Sequence, residues 1–262
     1  MVHKDNLISF QNYENCSLFD HYSLYEQCCQ ILVYLVQTLK NNNLSKAIPI
    51  KQSLQHLRKE YSLSTLNKST TAADPLDQFQ KWFAQAIQAE IDEPNAMILA
   101  TVSSENKPSA RVVLLKDIEK GGLVFYSNFE SRKGQQLKSN HAAALVFFWP
   151  SLERQVRVEG LISIIDDITA SDYFQKRPRE SQVSAIISPQ SEPIPSRKYL
   201  EDVRKYFLSA NADKPLERPS NWGGYILIPD RVEFWQGRAN RLHDRIQYVL
   251  TENGWVKERL AP

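Results

Sequence analysis

The sequence has few cysteines and no long hydrophobic run. Cysteine occurs three times, as Cys16, Cys28 and Cys29, all near the N-terminus. This count and spacing provide neither a disulfide framework nor a set of zinc ligands, so we expect unpaired thiols in a reducing compartment. The longest apolar run, residues 31–36, is far shorter than the ~20 residues that span a bilayer. These features predict a cytoplasmic protein that does not enter a membrane.

An excess of charge of one sign is also missing. The chain has 32 Lys and Arg against 30 Asp and Glu, a formal net charge of +2. No global field therefore recruits nucleic acid or a membrane surface, and anion binding must depend on local clusters. The G-x-G-x-x-G, P-loop and G-x-S-x-G motifs are absent, which argues against a Rossmann site, a nucleoside triphosphatase and a nucleophile-elbow hydrolase. The five histidines lack metal-ligand spacing, so no metal site is predicted.

The N-terminal third of the chain reads as helical. All eight glycines lie at or after Gly121, and the texture changes near residue 95. Helices are predicted at 25–40, at 52–61 and, most clearly, after Asp74-Pro75, an N-cap followed by a proline at the first helical position. Its apolar positions, which follow the 3.6-residue period, are Leu76, Phe79, Trp82, Phe83, Ala86 and Ile87. We divide the chain into an extension of unknown role (1–50), a helical lead-in (51–94) and a barrel (95–262).

The remainder of the chain reads as short strands separated by turn formers. The strands are rich in β-branched and aromatic residues. They are predicted at 96–102, 109–115, 123–127, 143–148, 155–165, 224–228, 231–235, 241–250 and 255–260. Two helices are predicted between them, at 168–176 and 197–210. Strands joined mostly by near-neighbour hairpins predict a mainly β (α+β) fold, an antiparallel barrel with flanking helices.

Ser131-Arg132-Lys133 is the first segment that points to a ligand. Ser131 is a natural N-cap for a helix that runs to about Asn140. Arg132 and Lys133 in its first turn oppose the helix dipole, but they become favourable if a phosphate lies at the helix end. The alternative is that both cations point into water. The segment alone does not decide between the two.

A second basic cluster, Arg241-Leu242-His243-Asp244-Arg245, lies in a predicted strand. Alternation puts Arg241, His243 and Arg245 on one face and Asp244 on the other. Three such groups in a row repel unless an anion or a polar aromatic ligand faces them. The alternative is a solvent-facing edge strand, a common protection against aggregation. Arginine in place of lysine favours the ligand.

A third cluster lies around the end of the predicted helix at 168–176. Tyr173 and Arg177 are four residues apart and therefore neighbours on one helix face. Pro178 ends the helix, and Ser181 is a candidate cap for the next one. A tyrosine, an arginine and a serine that converge suit one phosphate monoester. The alternative is a basic turn that only terminates the helix.

The stretch Arg111-Val112-Val113-Leu114-Leu115-Lys116 is the fourth candidate. Its two cations flank an apolar strand and, five residues apart, point to opposite faces unless a bend intervenes. Lys116 therefore meets a different group from Arg111. Each cluster alone is a weak signal. Four clusters that could each bind a phosphate, in a chain that is nearly neutral overall, together indicate phosphate ligands.

In combination these segments resemble the pyridoxine/pyridoxamine 5'-phosphate oxidase family, over roughly four-fifths of the chain. The most specific matches are 111–116, 126–127, 131–133, 152–156, 177–182, 190–191, 222–224, 233–237 and 241–245. The resemblance implies an FMN-binding split barrel and a homodimer with FMN at each of two sites between the subunits. It starts near residue 57, so residues 1–50 have no recognised counterpart. At 62–71 relatives often carry a glycine pair and several arginines, which this chain lacks.

The resemblance also implies which residues form the sites. FMN contacts are expected from Arg111, Val112, Val113, Leu114, Leu115, Lys116, Tyr126, Ser127, Arg132, Lys133, Gln155, Gln190, Ser191, Trp235 and Arg245. The substrate phosphate is expected to meet Lys116, Tyr173, Arg177 and Ser181. Arg241 and His243 are the expected catalytic residues and would lie over the substrate ring, where Arg241 would orient the substrate and stabilise charge near C4' and His243 would hydrogen-bond close by. Arg58 and Tyr61 are further candidates for substrate contact.

The implied reaction belongs to vitamin B6 metabolism. Pyridoxamine or pyridoxine 5'-phosphate would be oxidised at C4' to pyridoxal 5'-phosphate, with hydride transfer to FMN. Dioxygen would accept the electrons and give hydrogen peroxide, and the amine would also release ammonia. Two alternatives stay open, another split-barrel flavin reductase and a non-catalytic binder of flavin or pyridoxal phosphate. The second phosphate cluster favours the oxidase, because a flavin-only protein has no use for it.

Overall fold

The structure is a computed structural model that describes residues 54, 56–212 and 214–262. The predicted helix at 25–40 and the three cysteines lie outside these residues. The chain divides into two units, residues 1–59 and residues 60–262. In the first unit Leu54 and His56 are helical, whereas residues 57–59 have no regular secondary structure. The predicted helix at 52–61 is therefore wrong in its second half, because so short a helix needs packing and Leu57 is exposed.

Residues 60–262 are built around one antiparallel sheet of nine strands. The strand order is β2-β1-β5-β6-β7-β4-β3, and β8 pairs with β7 and β9. Neighbouring strands are antiparallel throughout, which confirms the predicted mainly β fold. The strands are β1 (Ala96–Val102), β2 (Pro108–Leu114), β3 (Asp117–Glu119), β4 (Gly122–Asn128), β5 (Ala142–Trp149), β6 (Arg154–Ile164), β7 (Trp222–Gln236), β8 (Asp244–Thr251) and β9 (Gly254–Leu260).

Five α-helices flank this sheet in the described part of the chain. They are α1 (Pro75–Gln88), α2 (Arg132–Ser139), α3 (Asp167–Lys176), α4 (Arg179–Ile187) and α5 (Arg197–Ala210). Asp74 caps α1 as predicted, since its carboxylate accepts the N–H groups of Leu76 and Asp77. None of the described helices is long and apolar enough to cross a membrane.

The main core lies between the sheet and α1. Phe79, Trp82 and Ala86 of α1 are buried against strand residues such as Phe147 and Phe234. Ile87 is exposed, so the apolar stripe of α1 is narrower than predicted. A second, smaller core packs α3 and α4 against the start of β7. Its buried members are Phe174, Val183, Leu216 and Trp222. Burial of this kind stabilises by about 25 cal/mol per Å² of apolar surface.

Strand β7 is a single strand of 15 residues, whereas the sequence predicted two strands. Pro229-Asp230 suggested a break, but the pairing with β6 continues across it with a register shift between Glu159 and Gly160. Gly160 permits this bulge, because a Cβ there would lie 2.1 Å from the carbonyl oxygen of Ile228. The fold therefore has one long strand that links two regions of the sheet.

Two local predictions around the basic clusters are wrong. Strand β8 begins only at Asp244, because Ala239–Arg241 forms a 3-10 turn in which Asn240 and Arg241 have positive φ angles of 56° and 59°. Alternation therefore does not place Arg241 and His243 on a strand face with Arg245. The N-cap position of α4 is Pro178 and not Ser181, which lies in the first turn.

Candidate functional site

A cationic cavity of about 490 Å³ lies where β2, β4, α2, α3 and α4 meet. Its lining residues are Val112, Val113, Leu114, Lys116, Tyr126, Ser127, Lys133, Tyr173, Lys176, Arg177, Pro178, Ser181, Gln190 and Trp222. All of these were predicted except Lys176, Pro178 and Trp222. Four lining residues are cations, and none is a carboxylate. The cavity is therefore suited to an anionic ligand.

Lys133 lies at the start of α2 and reaches into this cavity. Ser131 caps the helix as predicted, since its Oγ accepts the N–H of Gly134. The Lys133 ammonium donates to Ser127 Oγ at 3.0 Å and to Gln190 Oε1 at 3.1 Å. Burial, with a contribution from the charge of Arg111, lowers the pKa of Lys133 to about 8. The ammonium also donates to Ser131 Oγ at 3.2 Å, so its three acceptors are all neutral, and a nearby cation adds to the preference for an anion.

Arg111 does not line the cavity, although it lies within electrostatic range of Lys133. Its guanidinium donates to Thr101 Oγ1 at 2.6 Å, to Ser109 Oγ at 2.6 Å and to the carbonyl oxygen of Leu99. Burial and the charge of Arg132 lower the pKa of Arg111. Arg111 therefore adds positive potential to the cavity from behind the lining.

Arg132 and Ser191 line a neighbouring cavity of about 580 Å³, outside the one that Lys133 enters. The side chains of consecutive residues in the first turn of a helix point in different directions. Arg132 and Lys133, which were predicted as a pair, therefore line two different cavities. Leu115, also predicted as a cofactor contact, is buried in the core. The structure thus brings together most, but not all, of the residues predicted on this side.

Aromatic rings stack along one wall of the cavity. Tyr126 and Tyr173 have centroids 3.9 Å apart and an interplanar angle of 14°, and Trp222 is nearly parallel to both. Burial raises the pKa of Tyr126 to about 12, so its hydroxyl remains protonated. The guanidinium of Arg177 lies 4.6 Å from the Trp222 ring centroid. This wall holds Arg177 in a fixed orientation.

Arg177 has an unsatisfied buried donor. Its Nη1 atom is buried and has no hydrogen-bond partner, the one such side-chain atom found in the described residues. Burial lowers the pKa of Arg177, and the neighbouring Tyr173 partly offsets the change. A buried donor without a partner costs about 1–3 kcal/mol, so native proteins retain one where a ligand completes the contact. The sequence predicted Arg177 as a site residue, whereas Trp222 lay in the matched segment 222–224 but was not assigned to the site.

A second cluster of predicted residues lies at the other end of β6 and β7. Gln155, Trp235 and Arg245 are direct neighbours across β6, β7 and β8 and therefore share a face of the sheet. The His243 ring centroid lies 4.7 Å from that of Trp235, and the Tyr61 centroid lies 5.7 Å from that of His243. These residues form a compact group outside the cavity.

Hydrogen bonds orient the two basic residues of this group. The N–H of Arg238 donates to His243 Nδ1 at 3.1 Å, which leaves Nε2 of a neutral imidazole as the N–H donor. Burial and the charge of Arg241 lower the pKa of His243. Arg245 is bidentate with the buried Glu233, at 2.8 and 3.0 Å, and this pairing raises its pKa. Glu233 was not predicted, and only the three-dimensional pairing identifies it.

Arg241 lies on the exposed 3-10 turn beside His243. Arg58 belongs to the first unit of the chain, residues 1–59, and has no regular secondary structure. In the described part of the chain, no group of three or more His, Cys, Asp or Glu residues is arranged to hold a metal ion.

The cavity and the second cluster are separated within one chain. Val112, which lines the cavity, lies on β2, whereas Gln155 lies on β6, three strands away in the sheet order. Neighbouring strands lie about 4.8 Å apart, so these two strands are about 14 Å apart across the sheet. No residue of the second cluster lines the cavity. The residues predicted to contact FMN and substrate therefore fall into two separate groups in one chain, here called the half-sites.

Solved structures resemble this architecture. PhzG from Burkholderia lata 383, in complex with tetrahydrophenazine-1-carboxylic acid, has a TM-score of 0.73 and 27% identity, covering 77% of this chain and 100% of that chain. A pyridoxamine 5'-phosphate oxidase-related, FMN binding protein from Nostoc punctiforme PCC 73102 has a TM-score of 0.58 and 19% identity, covering 74% and 99%. The fold is therefore that of a split-barrel protein.

Sequence comparisons give the family. The family model described as pyridoxamine 5'-phosphate oxidase matches residues 83–205, and that of the pyridoxine 5'-phosphate oxidase C-terminal dimerisation region matches residues 222–262. The pyridoxine/pyridoxamine 5'-phosphate oxidase of Leptospira interrogans is 50% identical over 80% of this chain and 98% of its own length. That of Acaryochloris marina is 47% identical over 82% and 98%. The chain belongs to the pyridoxine/pyridoxamine 5'-phosphate oxidase family, a family of oxidoreductases.

Proposed function

We propose that this protein oxidises pyridoxine and pyridoxamine 5'-phosphate to pyridoxal 5'-phosphate in vitamin B6 metabolism. The observation that supports it best is the buried, unpartnered Nη1 of Arg177 in a cavity without a carboxylate. A phosphate monoester would satisfy that donor, with Lys116, Tyr173 and Ser181 on the same lining. The flat wall of Tyr126, Tyr173 and Trp222 suits aromatic ligands.

The residues of the two half-sites also fit FMN. Lys133, Ser127 and Gln190 provide donors and acceptors at one end, and burial together with the charge of Arg111 lowers the pKa of Lys133, which favours an anion beside this ammonium. Arg111 and Arg132 contribute charge nearby. Gln155, Trp235 and Arg245 would contact the ring system from the second half-site. Bound FMN would supply the redox chemistry, taking two electrons from substrate C4' and passing them to dioxygen.

The protein would contribute position and electrostatics. Arg241 and His243 would lie over the substrate ring, with His243 offering the Nε2 N–H that its contact with Arg238 leaves free. For the amine, one dioxygen and one water are consumed, and pyridoxal phosphate, ammonia and hydrogen peroxide are formed. For the alcohol, dioxygen alone is consumed, and no ammonia is released. A cytoplasmic location completes the proposal.

A homodimer would bring the half-sites together. The outer face of the sheet exposes Ile98, Val112 and Phe148 to solvent at 41%, 65% and 52%. Phe148 is beside Gln155 on this face, and Val112 also lines the cavity. Exposed apolar side chains at both half-sites are typical of an interface, and a two-fold axis would join the cavity of one subunit to the second cluster of the other. The match to the dimerisation region supports this arrangement.

The direct experiment is an oxidase assay. FMN-loaded protein is incubated in air with pyridoxine 5'-phosphate, and pyridoxal phosphate and hydrogen peroxide are measured. We expect equimolar products, and no product from unphosphorylated pyridoxine at the same concentration. Bound FMN without any pyridoxal phosphate would contradict the proposal. NADH-dependent reduction of free flavin in its place would identify the split-barrel reductase.

A further inference from the structure

The segment 61–72, here called the strap, crosses the second half-site without forming a helix or strand. It is the stretch in which this chain lacks the glycines and arginines of its relatives. Most of the hydrogen bonds between the strap and the barrel join main-chain atoms of the strap to side chains of the barrel. These side chains belong to the β5–β6 turn, the β7–β8 connection, β8 and β9.

Glu153 holds the first turn of the strap. Its Oε2 atom accepts the N–H of Ser62 at 2.9 Å and the N–H of Leu63 at 3.0 Å. Glu153 is only 2% exposed, and its backbone is left-handed, with φ of 54°. A buried carboxylate that accepts two main-chain N–H groups is a strong anchor.

Asp244 holds the middle of the strap. Its Oδ2 accepts the N–H of Leu66 at 3.0 Å, while its Oδ1 accepts from Arg259 at 2.6 Å. Arg259 in turn donates to the carbonyl oxygen of Leu66 at 2.8 Å. Burial acts to raise the pKa of Asp244, but the hydrogen bonds from Leu66 and Arg259 outweigh it and lower the pKa. Asp244 directly follows His243, so the strap and the imidazole are fixed by adjacent residues.

The far end of the strap is held by carbonyl contacts. The Lys257 ammonium donates to the carbonyl oxygens of Lys68 and Thr71, each at 3.1 Å. The Tyr248 hydroxyl donates to that of Ala72 at 2.8 Å. Because the barrel binds the strap's backbone, the path of the strap does not depend on most of its own side chains. The departure of residues 62–71 from the family pattern is therefore compatible with a fixed path.

The strap places Tyr61 against the second half-site. The Tyr61 ring meets Trp235 edge-on, with centroids 5.6 Å apart, and also contacts His243. Gly237 makes room for it, since a Cβ there would lie 2.7 Å from Tyr61 Cγ. Displacement of the strap would move this ring away from both predicted ligand-contacting residues.

We propose that Glu153 and Asp244 are positioning residues that act through the strap to hold Tyr61 beside Trp235 and His243, where it closes the substrate side of the half-site. The predicted effect on KM and kcat rests on the proposed oxidase function, whereas the predicted effect on the position of the strap does not. Glu153 and Asp244 act on main-chain atoms and not on the ligand. Their loss should therefore raise KM more than it lowers kcat.

The structural test is hydrogen exchange of FMN-loaded protein, measured by mass spectrometry on peptides from the strap. Asp244→Ala should speed exchange at Leu66, and Glu153→Ala at Ser62 and Leu63, by about tenfold or more, as expected when a hydrogen bond to a charged acceptor is lost. Ser196→Ala is the matched control, because Ser196 also accepts a main-chain N–H, that of Tyr199, at the start of α5. Unchanged exchange in a folded Asp244→Ala protein would overturn the proposal.

The kinetic test is a double-mutant cycle. Asp244→Ala and Tyr61→Ala should each raise KM for pyridoxine 5'-phosphate by about tenfold, and the double variant should be no worse than Tyr61→Ala alone, since coupled residues are not additive. Asp244→Asn should recover part of the loss, because its carbonyl can still accept from Leu66. Additive effects would refute action through Tyr61. Wild-type protein that makes no pyridoxal phosphate would refute the proposed function, while exchange at Leu66 would still decide the role of Asp244.

Discussion

At the residue scale, the same side chain takes opposite roles according to its partners. Arg245 and Arg177 were both predicted to bind ligand. All three nitrogen groups of Arg245 have partners, Glu233 and the carbonyl oxygen of Ala261. Arg177 instead lies over Trp222 with Nη1 buried and unpartnered. Arg177 is therefore ready for a ligand, whereas Arg245 is already anchored and orders the sheet surface beside the half-site.

Arg177→Ala should weaken binding of the substrate phosphate. We expect KM for pyridoxine 5'-phosphate to rise about 10- to 100-fold, because a charge-assisted hydrogen bond in a buried site contributes about 1.5–3 kcal/mol. Arg179→Ala is the control, since Arg179 donates to the carbonyl oxygens of Lys214 and Asn211 and does not line the cavity. Steady-state kinetics of both variants provides the measurement. Equal KM values for wild type and Arg177→Ala would remove Arg177 from the phosphate site.

Lys133 predicts a pH dependence of FMN binding. Its pKa is lowered to about 8 without an anion, and a bound phosphate dianion should raise it toward the usual range. Binding then requires the protonated form, so affinity is full below pH 8 and is lost as pH rises above it. We expect the Kd for FMN to increase about tenfold between pH 7 and pH 9.

Fluorescence titration of the apoprotein at each pH measures this dependence. Riboflavin, which lacks the phosphate, should show a flat profile over the same range. Lys133→Met should bind FMN weakly and also lose the pH dependence. A wild-type profile as flat as that of riboflavin would show that Lys133 does not meet the phosphate.

At the element scale, sequence periodicity predicted the hairpins well and the connections poorly. Strand β1 and helix α5 have the predicted bounds, because their apolar period is a local property. The 3-10 turn Ala239–Arg241 was missed, since an apolar period carries no signal for the positive φ values at Asn240 and Arg241. Pro229 and Asp230 suggested a strand end, yet a bulge carries β7 through them.

In the candidate site, too, local features were predicted from the sequence and long-range features were not. Residues in local motifs, such as Lys133 and Arg177, were predicted and reach the cavity. Glu233 and Glu153 were not predicted, because each acts on a partner 12 or 91 residues away in the sequence. The period-two alternation of a strand predicted the wrong local structure for Arg241, which lies on a 3-10 turn. The spacing of residues in the sequence identifies groups that lie within one turn or one strand. Pairs of residues that are distant in the sequence can be identified only from the three-dimensional fold.

The 3-10 turn gives Arg241 and Arg245 different expected phenotypes. Arg241 is exposed on the turn, so Arg241→Ala should leave Tm unchanged while lowering kcat/KM about 10- to 1000-fold through lost orientation of the substrate. Arg245→Ala removes the bidentate partner of the buried Glu233 and should lower Tm as well as FMN affinity.

Anaerobic stopped-flow flavin reduction and thermal unfolding of FMN-loaded protein separate these two effects. His243→Asn should reduce the rate less than Arg241→Ala, because the amide keeps some hydrogen-bonding capacity. Flavin reduction by Arg241→Ala at the wild-type rate across the substrate range would contradict the role assigned to Arg241.

At the scale of the whole molecule, the two half-sites explain why the sheet exposes apolar residues. The cavity has four cationic lining residues, and the second cluster has Arg241, His243 and Trp235. The strands β2 and β6 that reach these two groups are three strands apart, about 14 Å across the sheet. Ile98, Val112 and Phe148 lie exposed on the outer face of the same sheet. In the proposed homodimer, a two-fold arrangement would cover these side chains and complete two equivalent sites, each built from both subunits.

This arrangement predicts complementation between two impaired variants. Arg177→Ala damages the cavity half-site, and Arg241→Ala damages the other. In a heterodimer of the two, one site combines both damaged halves, and the other combines both intact halves. At substrate concentrations well below the wild-type KM, a heterodimer purified through two different tags should therefore have about half the activity per dimer of wild type, although each parent homodimer has about a tenth of it or less. The control is a heterodimer of differently tagged Arg177→Ala chains, which should remain impaired. If each chain formed its own complete site, mixing would restore nothing, and activity in the mixed dimer no higher than in the parents would reject the shared site.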